Sequence, residues 1–65
     1  MAERYALTRR EAADALSVSL TVFEERIQPE LRVIRLGRRV LIPAVEVERW
    51  VAENAERPMA EEVGR

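Results

Sequence analysis

Arg32, Arg35, Arg38 and Arg39 stand within residues 32–43, a stretch that contains no acid. A guanidinium is always charged and presents a planar fork of donors. That fork matches the oxygens of a phosphate or a carboxylate. Four of them on one short segment suit the binding of a polyanion. The flanks have the opposite sign. Residues 1–31 carry four arginines against six acids, net −2, and residues 44–65 carry three against six, net −3. A basic island of net +4 therefore sits inside a chain whose total charge is only −1. Overall charge gives no support to nucleic-acid binding; the distribution does. All basic residues are arginine and none is lysine, which G+C-rich coding explains before function does.

Other chemistries are poorly supplied. The chain has no histidine and no cysteine. It therefore lacks the commonest general base, the usual neutral-pH switch, the thiolate nucleophile and the two commonest zinc ligands. No glycine-rich phosphate loop is present, and no acid pair falls where a pocket would form. The expectation is a protein that is not an enzyme, with no metal, cofactor or small-molecule ligand. No apolar run approaches the roughly 20 residues needed to span a bilayer, and no signal peptide is visible. A cytoplasmic binding module without a membrane partner is expected. Sixty-five residues make one small domain with a modest core.

The elements that must position the arginines can be read in order. In "LTRREAADAL", Thr8 is an N-cap and Glu11 completes a capping box, predicting a helix over about 9–16. Ala12, Ala13 and Leu16 form its apolar stripe. Ser17 and Ser19 break that helix, because hydroxyls compete for backbone groups. Ser19 caps a second helix, whose apolar face holds Leu20 or Val22, then Phe23 and Ile27 at i, i+4 spacing. Val18 plugs the turn, and Pro29 ends the second helix. Two short helices joined by about three residues make a helix-turn-helix pattern.

The basic stretch "RVIRLGRRVLI" reads as a β-hairpin with Gly37 in the turn. If Ile34 and Leu36 face the core, their partners are Ile42 and Val40, which leaves a three-residue turn, Gly37 to Arg39. A two-residue turn would put Arg39 on the face of Ile34 and Leu36 and bury a charge. The three-residue turn is therefore expected, with Arg38 and Arg39 at the tip and Arg35 on the outer face. Pro43 closes the hairpin and starts a helix over about 44–55. Val47, Trp50, Val51 and Asn54 fall at helical spacing, with Trp50 as the core anchor. Residues 56–65 are polar, contain Pro58 and Gly64 and lack periodicity, as a flexible tail would.

Helix, turn, helix, basic hairpin, helix predicts a mainly α fold with a small β-hairpin over residues 1–55: a winged helix-turn-helix. At this point the chain resembles the small excisionase-type, MerR-like helix-turn-helix family. Glu11-Ala12-Ala13, Leu16, Val18-Ser19, Gly37-Arg38-Arg39, Ile42-Pro43 and Trp50-Val51 carry the likeness, which spans about residues 5–52. No single piece is specific; the set in this order is. The longer MerR-like relatives add a coiled coil or effector domain, which this sequence does not show.

The resemblance implies double-stranded DNA as partner, with the second helix in the major groove and the hairpin reaching a neighbouring minor groove or phosphates. It implies an architectural recombination directionality factor. Several copies would associate on attachment-site DNA, bend it and steer an integrase partner towards excision. A phage or prophage of an actinobacterial host would suit the all-arginine composition. On the second helix the implied contacts fall to Ser19, Thr21, Glu24, Glu25 and Gln28. On the wing they fall to Arg32, Arg35, Arg38 and Arg39, and on the flank of the first helix to Arg9 and Arg10.

The bland alternatives stand beside these roles. The wing arginines could be solubilising charges on an edge hairpin. Arg9 and Arg10 could be a solvated first turn, and Thr21 a helix-start residue. Glu24 and Glu25 depart from the basic residues that relatives often carry on that face. Each could read a cytosine amino group, pair with a nearby arginine such as Arg26, or simply be solvated. Two other functions share these features. One is a small transcriptional regulator built on the same module. The other is an antitoxin-like or adaptor module whose acidic segments bind a basic protein.

Overall fold

Thr8 ends a strand and begins a helix, and the layout of the domain follows from that junction. The computed structural model describes residues 4–56. Strand β1 (Ala6–Thr8) runs into helix α1 (Arg9–Ala15), then α2 (Leu20–Val22). Helix α2 continues as a π turn over Phe23–Ile27 and a 3-10 turn over Gln28–Glu30. Strands β2 (Ile34–Leu36) and β3 (Arg39–Pro43) and helix α3 (Ala44–Asn54) complete it. This is a small α+β domain of three helices and a three-stranded antiparallel sheet in the order β1-β3-β2. Among the described residues no helix is long and apolar enough to cross a membrane. Of the expected tail, only Glu56 is described, exposed and outside any helix; the rest lies outside the described residues.

The capping box forms as its spacing predicts. Thr8 Oγ1 accepts from the Glu11 N–H at 3.0 Å, and Glu11 Oε1 accepts from the Thr8 N–H at 2.9 Å. The end of α1 is a Schellman turn. Val18 N–H reaches the Ala13 carbonyl at 3.0 Å and Ser17 N–H reaches that of Asp14 at 3.0 Å. The turn needs a left-handed residue, and Ser17 supplies it with φ 61°. A side chain there costs on the order of 1 kcal/mol. Ser17→Gly is therefore expected to stabilise the domain by about 0.5–1 kcal/mol, read as a higher denaturant midpoint with unchanged slope. Ser19 then caps α2, its Oγ accepting from the Val22 N–H at 3.1 Å.

The core is made by Ala12, Ala13, Phe23, Ile27, Leu31, Ile42 and Val47, with Leu7, Leu16, Val18, Leu20, Val33, Val40 and Trp50 packed around it. Phe23 and Ile42 are fully buried. The small Ala12 and Ala13 let α1 sit directly on them. Trp50 is therefore not the buried centre expected of it. It lies half-buried on the flank, its Nε1 donating to Glu30 Oε1 at 2.9 Å, because an indole needs a partner for its N–H and the rim provides one. Val51 and Asn54, expected on the same apolar face, are exposed.

The hairpin corrects the expected register. Ile34 pairs with Leu41, Arg35 with Val40 and Leu36 with Arg39, so the turn has two residues, Gly37 and Arg38. Gly37 has φ 63° at the first turn position, where a II′ hairpin turn calls for glycine. Arg39 does share a face with Ile34 and Leu36, but no charge is buried. The hairpin runs past the core, leaving Ile34 41% and Leu36 59% exposed. Val40 and Ile42 carry the core face instead. Arg35, directly across from Val40, is on that face and not the outer one, and is exposed because the core ends before it.

No pattern in the sequence marks strand β1. It pairs Ala6 with Pro43, Leu7 with Ile42 and Thr8 with Leu41. Its three residues are too few to show an alternation.

Candidate nucleic-acid interface

Strand β1 stops at Thr8, opposite Leu41, whereas β3 begins two residues earlier at Arg39. The start of β3 therefore has no strand neighbour on that side. An open cleft of about 370 Å³ results, lined by Thr8, Arg9, Arg10, Leu20, Arg38, Arg39 and Val40. Small-molecule pockets of similar size are mostly apolar. This one has Leu20 and Val40 as its apolar part, four guanidiniums around it and no acidic lining residue. Residues 29 positions apart in sequence thus make one cationic surface, with the start of the first helix and the tip of the β2–β3 hairpin converging.

The pairing of these charges is uneven. Arg9 Nη1 donates to Glu24 Oε2 at 3.1 Å, with both side chains well exposed. Among the described residues Arg10, Arg38 and Arg39 form no ion pair. Of the alternatives left open for Glu24, the structure shows pairing with an arginine, but the arginine is Arg9 and not Arg26. Sequence distance hid this pair, since the two lie on different helices.

The second-helix residues are dispersed. The Ser19 hydroxyl is engaged in capping, and Thr21 and Glu25 are exposed. Gln28 does not share the open face of Thr21. The π turn, closed by Gln28 N–H to the Phe23 carbonyl, lags behind α-helical register and carries Gln28 inward. Its Oε1 is buried without a hydrogen-bond partner among the described residues. Arg32 is exposed at the far end of the hairpin from the tip, outside the cleft.

Helix α3 fixes the second helix against the hairpin. Glu46 Oε1 accepts from the Arg32 backbone N–H at 2.9 Å and from Arg49 Nη2 at 2.7 Å. Arg49 Nη2 also donates to the Glu30 carbonyl at 3.2 Å, and its Nη1 to Glu53 Oε1 at 2.7 Å. One carboxylate and one guanidinium thus tie the last turn of the second helix to the start of the hairpin. No signal in the sequence marked Glu46 or Arg49 beyond their polar positions on the helix.

The Arg49 hydrogen bond, then the Arg32 N–H, hold the Glu46 carboxyl down to about 2. The Thr8 N–H first, then Arg4, lower that of Glu11. Depressed carboxyls contribute stability that is full above their ordinary value of 4.5 and is lost as pH falls through the folded value. The domain should therefore lose stability between about pH 4.5 and pH 2. Thermal melts across that range should show a smaller acid-dependent drop for Glu46→Gln, which no longer titrates there.

Among the described residues, no group of three or more histidines, cysteines or acids is placed to hold a metal ion. In comparisons with protein-family models, with curated proteins and with solved structures, no match is found.

Proposed function

We propose that the protein is a DNA-binding module of winged helix-turn-helix type, with the β2–β3 hairpin as wing, and that it acts as an excisionase-like architectural factor. The observation that carries DNA binding is the cleft in which Arg9, Arg10, Arg38 and Arg39 converge with no acid in its lining. A duplex offers a regular row of phosphates, and guanidiniums on a thin hairpin beside a helix start can follow it. A hairpin tip of this kind also fits a narrow minor groove, whose negative potential attracts arginine. The second helix, with exposed Thr21 in α2 and exposed Glu25 in its π turn, supplies the polar side chains for base edges, and a helix of this width enters a major groove.

One copy has few cationic contacts, so useful affinity requires neighbouring copies or a larger protein already on the DNA. That requirement, together with the sequence resemblance, supports the recombination role over a solitary DNA binder. In this reading the reaction itself belongs to the integrase partner. In this reading the site of action is the host cytoplasm.

The test is a gel-shift titration on the DNA flanking the gene, including any attachment site, with and without the neighbouring integrase. Stepwise complexes strengthened by integrase support the excisionase. Stepwise complexes confined to a promoter point to a transcriptional regulator. Absence of a shift at low salt removes DNA binding and directs attention to a protein partner.

A further inference from the structure

Resting on the DNA reading of the cleft, we infer that Glu24 is an internal competitor for the phosphate that the cleft would seat, with Arg9 as the shared cation. Arg9 is the one cleft arginine with an acidic partner among the described residues. That partner comes from the second helix, not from α1 itself. The acceptor is a carboxylate oxygen at 3.1 Å, and the side chains of Arg9 and Glu24 are 46% and 38% exposed. Such an exposed pair is weak and screened by salt. It can open without disturbing the core, because neither residue is buried.

The competition has a defined chemistry. A phosphodiester oxygen and a carboxylate oxygen accept the same donors from a guanidinium. While Glu24 holds Arg9, the cleft offers Arg10, Arg38 and Arg39 to the backbone. When a phosphate takes Arg9, Glu24 is left uncompensated next to the polyanion, so generic duplex is penalised. A base that donates a hydrogen bond, such as a cytosine amino group, could occupy the released Glu24 and remove the penalty. The pair therefore trades general affinity for dependence on what stands opposite Glu24.

The test uses the full chain in four forms: wild type, Glu24→Gln, Arg9→Ala and the double variant. Binding to a fluorescein-labelled duplex of mixed sequence is followed by anisotropy from about 50 mM salt upwards. Glu24→Gln should tighten binding about two- to fivefold at low salt. It should also steepen the salt slope by about 0.9, the signature of one additional phosphate contact. In the Arg9→Ala background the steepening should vanish, since the cation being released is gone. An equal effect of Glu24→Gln in both backgrounds overturns the competition and leaves simple charge repulsion. Binding by all four forms with Glu24→Gln equal to wild type also overturns it, while the DNA reading stands. No binding by any form at low salt overturns both.

Discussion

Replacing Arg38 and Arg39 together by alanine is expected to weaken duplex binding about 30-fold at low salt, taking each net arginine–phosphate contact as about 1 kcal/mol. The slope of log affinity against log salt should fall by up to about 1.8, because two fewer phosphates are neutralised and fewer counterions released. The two residues sit at the hairpin tip, exposed, and form no ion pair among the described residues. Folding should barely change, so the melt of the double variant should overlay that of wild type. This separates a binding role from a structural one. Binding and slope equal to wild type would remove the hairpin from the proposed interface, with the melt showing that the variant is folded. A loss of affinity with an unchanged slope would point to a contact other than phosphate.

Phe23→Ala should have the largest effect on stability, about 3–5 kcal/mol. Phe23 has no exposure and stands in the π turn, in one core cluster with the two alanines of α1 and Ile42 of the sheet. Its loss would open a cavity that three elements line and none can fill. A domain of this size has a total stability of roughly 3–10 kcal/mol, so the variant should lose a large share of it, read by circular dichroism as a much lower denaturant midpoint. Phe23→Leu keeps most of the volume and should fall between the two. Trp50→Ala provides the contrast. Although the larger residue is removed, it is half-buried on the flank, and the loss should be about 1–3 kcal/mol. If Trp50→Ala proves the more damaging, the core is organised around α3 and not around the second helix.

The sequence by itself determined the local elements. Helix α1 is specified by Thr8 and Glu11, the second helix by Ser19, and α3 by Pro43 and the spacing of its apolar residues, because caps and helical periods act within a few residues. Gly37 specified a turn, since the chain there needs a positive φ. The basic island was legible as composition alone.

The tertiary structure decided everything that depends on distant partners. The rule against burying Arg39 points to the wrong core face of the hairpin because it assumes that the whole hairpin is covered. Only packing shows that the core ends at Val40 and leaves Ile34 and Leu36 in the open. Strand β1 is too short to have a pattern, and exists because β3 offers it an edge. Trp50 yielded the centre to Phe23 since its indole N–H must be satisfied at a rim. The cleft itself joins the start of α1 to the tip of the β2–β3 hairpin, and the Arg9–Glu24 pair joins two helices. Charge and propensity are properties of residues in sequence, whereas a binding surface is a property of which residues the fold brings side by side.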